Sequence, residues 1–219
     1  FPNQEDFDEG AELVKAAYDA GVNYFDTAPG YGKSEDIFGV AFRDMLKTRD
    51  EKPFYVATKT FAAEEDKVRE QVESSLKRMG LDCIDFYHMW CVLSPGIYEE
   101  RKMKGTLDAF EKMKDEGLIR HICVSTHMEG TEVEAMLKDY PFEGVLLGYS
   151  PMNFKFREEG LETAARLQRA AVVMNPLGGG IIPNHPDRFD FVCTQDDETV
   201  VEGALRFLIN DPRITVALV

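Results

Sequence analysis

Several things are scarce or missing in this 219-residue chain, and each absence narrows what it can do. Basic residues are outnumbered: 25 Lys and Arg stand against 40 Asp and Glu, a formal charge of -15. Most of such a surface repels a phosphate backbone, which argues against nucleic acid as a partner. No apolar run reaches the ~18 residues that cross a bilayer, and no basic-then-apolar leader opens the chain, so neither a membrane nor secretion is expected. The four cysteines, Cys83, Cys91, Cys123 and Cys193, contain no CxxC pair. The first three sit in or beside apolar runs, as small buried thiols do, and the expected compartment is a reducing cytoplasm. His88, His121, His127 and His185 give no HxH pair, so no dedicated metal site is expected. There is one tryptophan, Trp90.

What is present is enough apolar material, 44% of residues, to fill one sizeable core. A single domain over residues 1–219 is expected, cut at both ends from something longer, since Phe1 opens it and Val219 lies in an apolar run. Apolar spacing predicts a helix over Glu9–Ala20, stopped by Gly21, and another over Glu65–Met79, where Val68, Val72, Leu76 and Met79 share a face before Gly80. Further helices are expected over Leu107–Glu116, Thr131–Lys138, Glu158–Arg169 and Asp197–Ile209. Between them lie strand-like runs whose ends fall near Asp26, Lys59, His88, Ser125, Tyr149, Met174 and Val219. Seven strands alternating with helices in this way build either a doubly wound sheet or a (β/α)8 TIM barrel. The doubly wound form would carry an early GxGxxG, which is absent. The expected fold is therefore an α/β (β/α)8 barrel missing its first strand and its C-terminal helix or tail.

In such a barrel the chemistry sits at the carboxyl ends of the strands. Three successive strand ends here deliver Asp26, Lys59 and His88, and Tyr31 lies in the loop NYFDTAPGYGKSE after the first. Singly, each has a plain explanation: a turn former, a solvated amine, a core imidazole. Together they occupy one register of three neighbouring units, which favours a catalytic site. Trp90, two residues after His88, is placed either as an apolar wall of a pocket or as a loop anchor. The long stretch from Ile181 to Thr199, with Pro183, Pro186, Phe189 and Phe191, suits a lid, or else an insertion without fixed structure. EERKMK, near residue 100, reads as a solvated helix start.

GVNYFDTAPGYGKSE, VATK and DFYH resemble the signature, lysine strand and histidine strand of the aldo-keto reductase superfamily, and GLIRHICVST, PLGGG and ALRFLINDPRITVALV resemble its later segments. VMNPLGGG and STH are similar to a bacterial branch in which a cysteine-rich ferredoxin-like tail often follows the barrel. A 4Fe-4S cluster would belong only to such a tail, which this chain does not contain. The resemblance implies hydride transfer between a nicotinamide and a small carbonyl substrate, with Asp26, Tyr31, Lys59 and His88 as a tetrad. Tyr31 would be the general acid. A free phenol has a pKa of about 10, and an ammonium about 4 Å away in a half-dry pocket would lower it by one to three units after desolvation takes its share. Asp26 would keep Lys59 charged, and His88 would orient the carbonyl oxygen.

The resemblance also implies nicotinamide contacts at Ser125, Thr126 and Met174, and pyrophosphate contacts at Pro176, Leu177, Gly178 and Gly179, where bare amides approach closely. Thr126, Leu146 and Met174 depart from the asparagine, glutamine and aromatic ring common in the family. NADPH is the family's usual preference over NADH. The competing expectation is a nicotinamide-binding barrel that serves as a redox sensor or accessory subunit with little turnover.

Overall fold

The structure, a computed structural model, describes residues 7–195 and 198–219. Asp197, where the last helix was expected to start, lies outside the described residues. The strands are β1 (Tyr24–Asp26), β2 (Tyr55–Thr60), β3 (Ile84–Val92), β4 (Ile119–Thr126), β5 (Gly144–Gly148), β6 (Ala170–Met174) and β7 (Val216–Ala217). They form a seven-stranded sheet in sequential order. The pairs β1–β2, β2–β3, β4–β5, β5–β6 and β6–β7 are parallel. The helices are α1 (Phe7–Asp19), α2 (Ser34–Met45), α3 (Glu65–Met79), α4 (Pro95–Met103), α5 (Thr106–Asp115), α6 (Gly130–Asp139), α7 (Phe154–Arg166), α8 (Ile181–Asn184), α9 (Pro186–Phe189) and α10 (Val200–Ile209). Parallel strands in chain order with a helix between each define the (β/α)8 class, with seven strands among the described residues.

The chain divides into two compact units: residues 1–90 with 99–122, and residues 91–98 with 123–219. The first holds an aromatic cluster. Phe25 on β1 meets Phe38, Phe42 and Phe54 edge-on, with centroids 5.9 to 6.0 Å apart. Burying each ring stabilises by about 1.5–3 kcal/mol, and edge-on pairing adds about 0.5–1.5 kcal/mol. α2 packs tightly on α3: a Cβ at Gly39 would stand 2.1 Å from the Arg78 carbonyl oxygen, so only glycine fits. At the amino ends of the strands, buried Asp85 accepts from Arg49 at 2.5 Å, Arg120 at 2.8 Å and the Val56 amide at 2.8 Å.

The second unit is packed around Val145, Leu147, Val172 and Val173 from β5 and β6, with Leu161 and Ala164 of α7 buried as well. α10 begins with a reciprocal cap: Thr199 Oγ1 accepts from the Glu202 amide and the Glu202 carboxylate accepts from the Thr199 amide.

Several boundaries differ from expectation. α3 covers the expected span. β3 runs on four residues beyond His88 to Val92, so His88 lies inside its strand and not at the end. β7 stops at Ala217, before the expected end at Val219. Between Ile181 and Val192 the backbone forms α8, α9 and a 3-10 turn. Arg101 in EERKMK is buried and donates to the Trp90 carbonyl. Its partner carbonyl explains why the segment is not fully solvated.

Candidate active site

Within the first unit, β1 and β2 bring an acid to an amine. Asp26 pairs in register with Ala57, so Lys59 lies two residues on along β2, with its side chain on the same face. Lys59 Nζ donates to Asp26 Oδ1 at 2.5 Å, and the lysine side chain is only 1% exposed. The second carboxylate oxygen, Oδ2, is buried with no hydrogen-bond partner among the described residues. Burial pushes the Asp26 carboxyl up, with the Lys59 charge and hydrogen bond opposing. Burial likewise pulls the Lys59 ammonium down, with Asp26 opposing. Desolvation therefore outweighs attraction at both groups, the usual balance for a buried ion pair.

His88 is the in-register partner of Lys59 across β2–β3, and it is buried. Residues so paired in a parallel ladder project to the same face. Tyr31 stands in the β1–α2 loop, exposed, with Lys59 Nζ 5.2 Å from its ring centroid. Asp26, Tyr31, Lys59 and His88 thus gather in one unit around a buried ammonium.

The small residues of the loop have a packing reason. Trp90 meets Tyr31 edge-on at 5.4 Å. A Cβ at Gly30 would lie 2.9 Å from Trp90 Cη2, so a side chain there would displace the indole. Gly32 adopts φ 61°, the left-handed region glycine enters without strain. Phe61 also stacks on Trp90, at 3.8 Å and 17°. Phe61 is half exposed and was not singled out in the sequence; its signal was an aromatic residue directly after the lysine strand.

The expected cofactor positions lie in the second unit. Ser125 and Thr126 are buried at the end of β4. Thr126 Oγ1 donates to the Val92 carbonyl at 2.8 Å and accepts from the Met128 amide at 3.0 Å, so its hydroxyl is largely engaged within the protein. Met174 ends β6, and Pro176 and Leu177 follow. Gly178, Gly179 and Gly180 have φ of 63°, 65° and 92°. A Cβ at Gly179 would meet nothing within 4 Å. The Gly178 and Gly180 amides donate to the Asn175 and Leu177 carbonyls at 2.9 and 3.2 Å, so exposed Gly179, with open space above it, is the glycine of the three that fits the close approach of an anionic diphosphate.

A (β/α)8 chain with a buried Asp–Lys pair, a phenol over the ammonium and a neighbouring imidazole defines a class, and comparison with known proteins gives it a family. Residues 2–219 match the model of the Aldo/keto reductase family, and the chain belongs to that family. It is similar to Aldo-keto reductase str7 of Strobilurus tenacellus, 27% identical over 85% of this chain and 56% of that protein. It is also similar to Aldo-keto reductase yakc [NADP(+)] of Schizosaccharomyces pombe, 28% identical over 86% of this chain and 58% of that protein. The chain thus spans less than two thirds of the length of these relatives. Among solved structures, a thermostable aldo-keto reductase crystallised with epalrestat superposes with a TM-score of 0.81, at 25% identity over 99% of this chain and 78% of that one. The holo form of aldo-keto reductase AKR11C1 from Bacillus halodurans gives 0.76 at 22% identity, over 98% of this chain and 76% of that one. No helix among the described residues is long and apolar enough to cross a membrane.

Proposed function

We propose that the protein is an NAD(P)H-dependent oxidoreductase that reduces small carbonyl compounds, with Tyr31 as the proton donor. The observation that carries this is the buried Lys59 ammonium, held by Asp26 and lying 5.2 Å from the centre of the Tyr31 ring. A bound reduced nicotinamide supplies the hydride that reaches the carbonyl carbon. Tyr31 gives its proton to the carbonyl oxygen as the C–O double bond becomes single, and recovers a proton from solvent afterwards. The developing phenolate is stabilised by the Lys59 ammonium, which Asp26 keeps charged against desolvation. His88 orients the substrate oxygen by donating a hydrogen bond. Trp90, backed by Phe61, forms an apolar wall for the substrate.

For the cofactor, the resemblance supports Ser125 and Thr126 at the nicotinamide amide, Met174 against its ring, and Pro176, Leu177, Gly178 and Gly179 at the diphosphate. Thr126 contributes least, because its hydroxyl serves the Val92 carbonyl at the end of β3 and the Met128 amide. The NADP(+) in the name of the yeast relative supports NADPH over NADH. A protein that only bound nicotinamide would have no use for an ammonium buried beside a phenol.

The test is to mix the full-length protein with NADPH or NADH and a panel of aldehydes and quinones, following the reduced nicotinamide absorbance. Turnover of some members is expected. Tight binding of both cofactors without turnover of any carbonyl would contradict the proposal.

A further inference from the structure

Glu35 sits in the first turn of α2 but is only 2% exposed, too deep for an acid that merely meets the helix dipole from solvent. Both of its oxygens are used. Thr58 Oγ1 donates to Oε1 at 2.8 Å; Arg78 Nε donates to Oε2 at 2.8 Å, and its Nη2 stands 2.7 Å from Glu35 Oε2. Thr58 is buried and immediately precedes Lys59. The preceding residue, Ser34, behaves similarly. Its hydroxyl accepts from Thr27 at 2.8 Å, and Thr27 immediately follows Asp26. The Ser34 amide donates to the Tyr31 carbonyl at 3.2 Å.

Two successive residues of one helical turn therefore hold the chain neighbours of Asp26 and Lys59 and the backbone of Tyr31 itself. The arrangement depends on the close approach of α3. Gly39 lies one turn beyond Glu35 on the same face of α2, and its missing side chain lets the Arg78 backbone come near enough for the guanidinium to reach Glu35. Asp26, Lys59 and Tyr31 come from two strands and a loop, and this helical turn ties the three segments together.

We propose that Glu35 is a positioning residue for proton transfer: through Thr58 it fixes the Lys59 ammonium relative to Tyr31. The inference rests on Tyr31 being the proton donor. The effect of an ammonium on a phenol falls with distance, so loosening Thr58 weakens Lys59's hold on the phenolate without touching substrate. Glutamine at this position cannot replace glutamate, because its NH2 must face one of two donors, the Thr58 hydroxyl or the Arg78 guanidinium.

The test uses the full-length protein with Glu35→Gln, Thr58→Val and Thr58→Ser, and Tyr31→Phe in each background as reference. Tyr31's ionisation is read as the tyrosinate absorbance that Tyr31→Phe removes; kcat and KM are measured with NADPH and nitrobenzaldehyde. Glu35→Gln and Thr58→Val are expected to lower kcat about tenfold to a hundredfold while KM changes little, and to move the Tyr31 ionisation to higher pH. Thr58→Ser, which keeps the hydroxyl, should behave as the parent. If Glu35→Gln does not fold, Thr58→Val carries the same expectation. An unmoved Tyr31 ionisation and unchanged kcat in the folded variants, whatever their melting temperatures, would overturn the inference while leaving Tyr31's role intact. Full turnover by Tyr31→Phe alone would instead overturn that role, and the inference with it.

Discussion

Lys59 and Asp26 meet at 2.5 Å across β1 and β2 in a setting so dry that burial, and not their attraction, dominates the proton affinity of each. A pair of this kind is a cost to the fold, and the proposed role of Lys59 beside Tyr31 gives it a use. The pair should therefore separate activity from stability. Lys59→Met is expected to cut turnover about 10²–10⁴-fold, and to destabilise by leaving a buried carboxyl without its partner. Asp26→Asn with Lys59→Met should be equally inactive yet more stable than the parent, by about 1–4 kcal/mol. Urea denaturation of the three proteins checks this.

The same pair sets a pH dependence. Asp26 is raised, so the folded chain holds this proton more tightly than the unfolded chain does, and the cost of the carboxylate is relieved as pH falls through the folded value. Lys59 is lowered, so the cost of the ammonium is present below its folded value and is relieved as pH rises through it. The stability gap between the double variant and the parent is expected to be widest near neutrality and to narrow towards acid and alkali. Denaturation midpoints across pH measure it, and a gap that widened at either extreme would contradict the assignment of both shifts to burial.

Gly30→Ala tests the loop. The added methyl would stand 2.9 Å from Trp90 Cη2, and Trp90 is the chain's only tryptophan, so its fluorescence reports directly on the clash. A shifted emission and a lower kcat are expected. Gly96→Ala, where a Cβ would approach nothing closer than 3.8 Å, should show neither.

Asp85 carries a purely structural expectation. It accepts from Arg49, Arg120 and the Val56 amide, and it lies at the start of β3, away from the strand ends that bear the site. Asp85→Ala should destabilise by about 3 kcal/mol, with kcat of the remaining folded protein unchanged. A stable variant with impaired turnover would contradict the separation.

The strand–helix alternation was legible because each unit ended in local punctuation: Gly80 after α3 adopts the left-handed conformation expected of a helix stop. The gathering of Asp26, Lys59 and His88 was legible because strand ends in this fold share a rim, although β3 runs past His88 to Val92. α2 was harder to read. Ile37, Phe38, Ala41 and Phe42 do share one buried face, but Ser34 and Glu35 at the front of the helix are buried with them, polar residues that a reading by pattern places in solvent. Glu35 stayed hidden for a related reason: an acid in a first helical turn looks like an ordinary solvated cap until its depth is known. Phe61 and Gly30 depend on a three-dimensional contact with Trp90 that no spacing encodes.

The most direct measurement compares the parent with Tyr31→Phe, following oxidation of NADPH by a reactive aldehyde alongside NADPH binding. Loss of turnover by at least about a hundredfold with unchanged binding is expected of a proton donor. A variant that reduced the aldehyde at the parental rate would show that the phenol above Lys59 is not the acid.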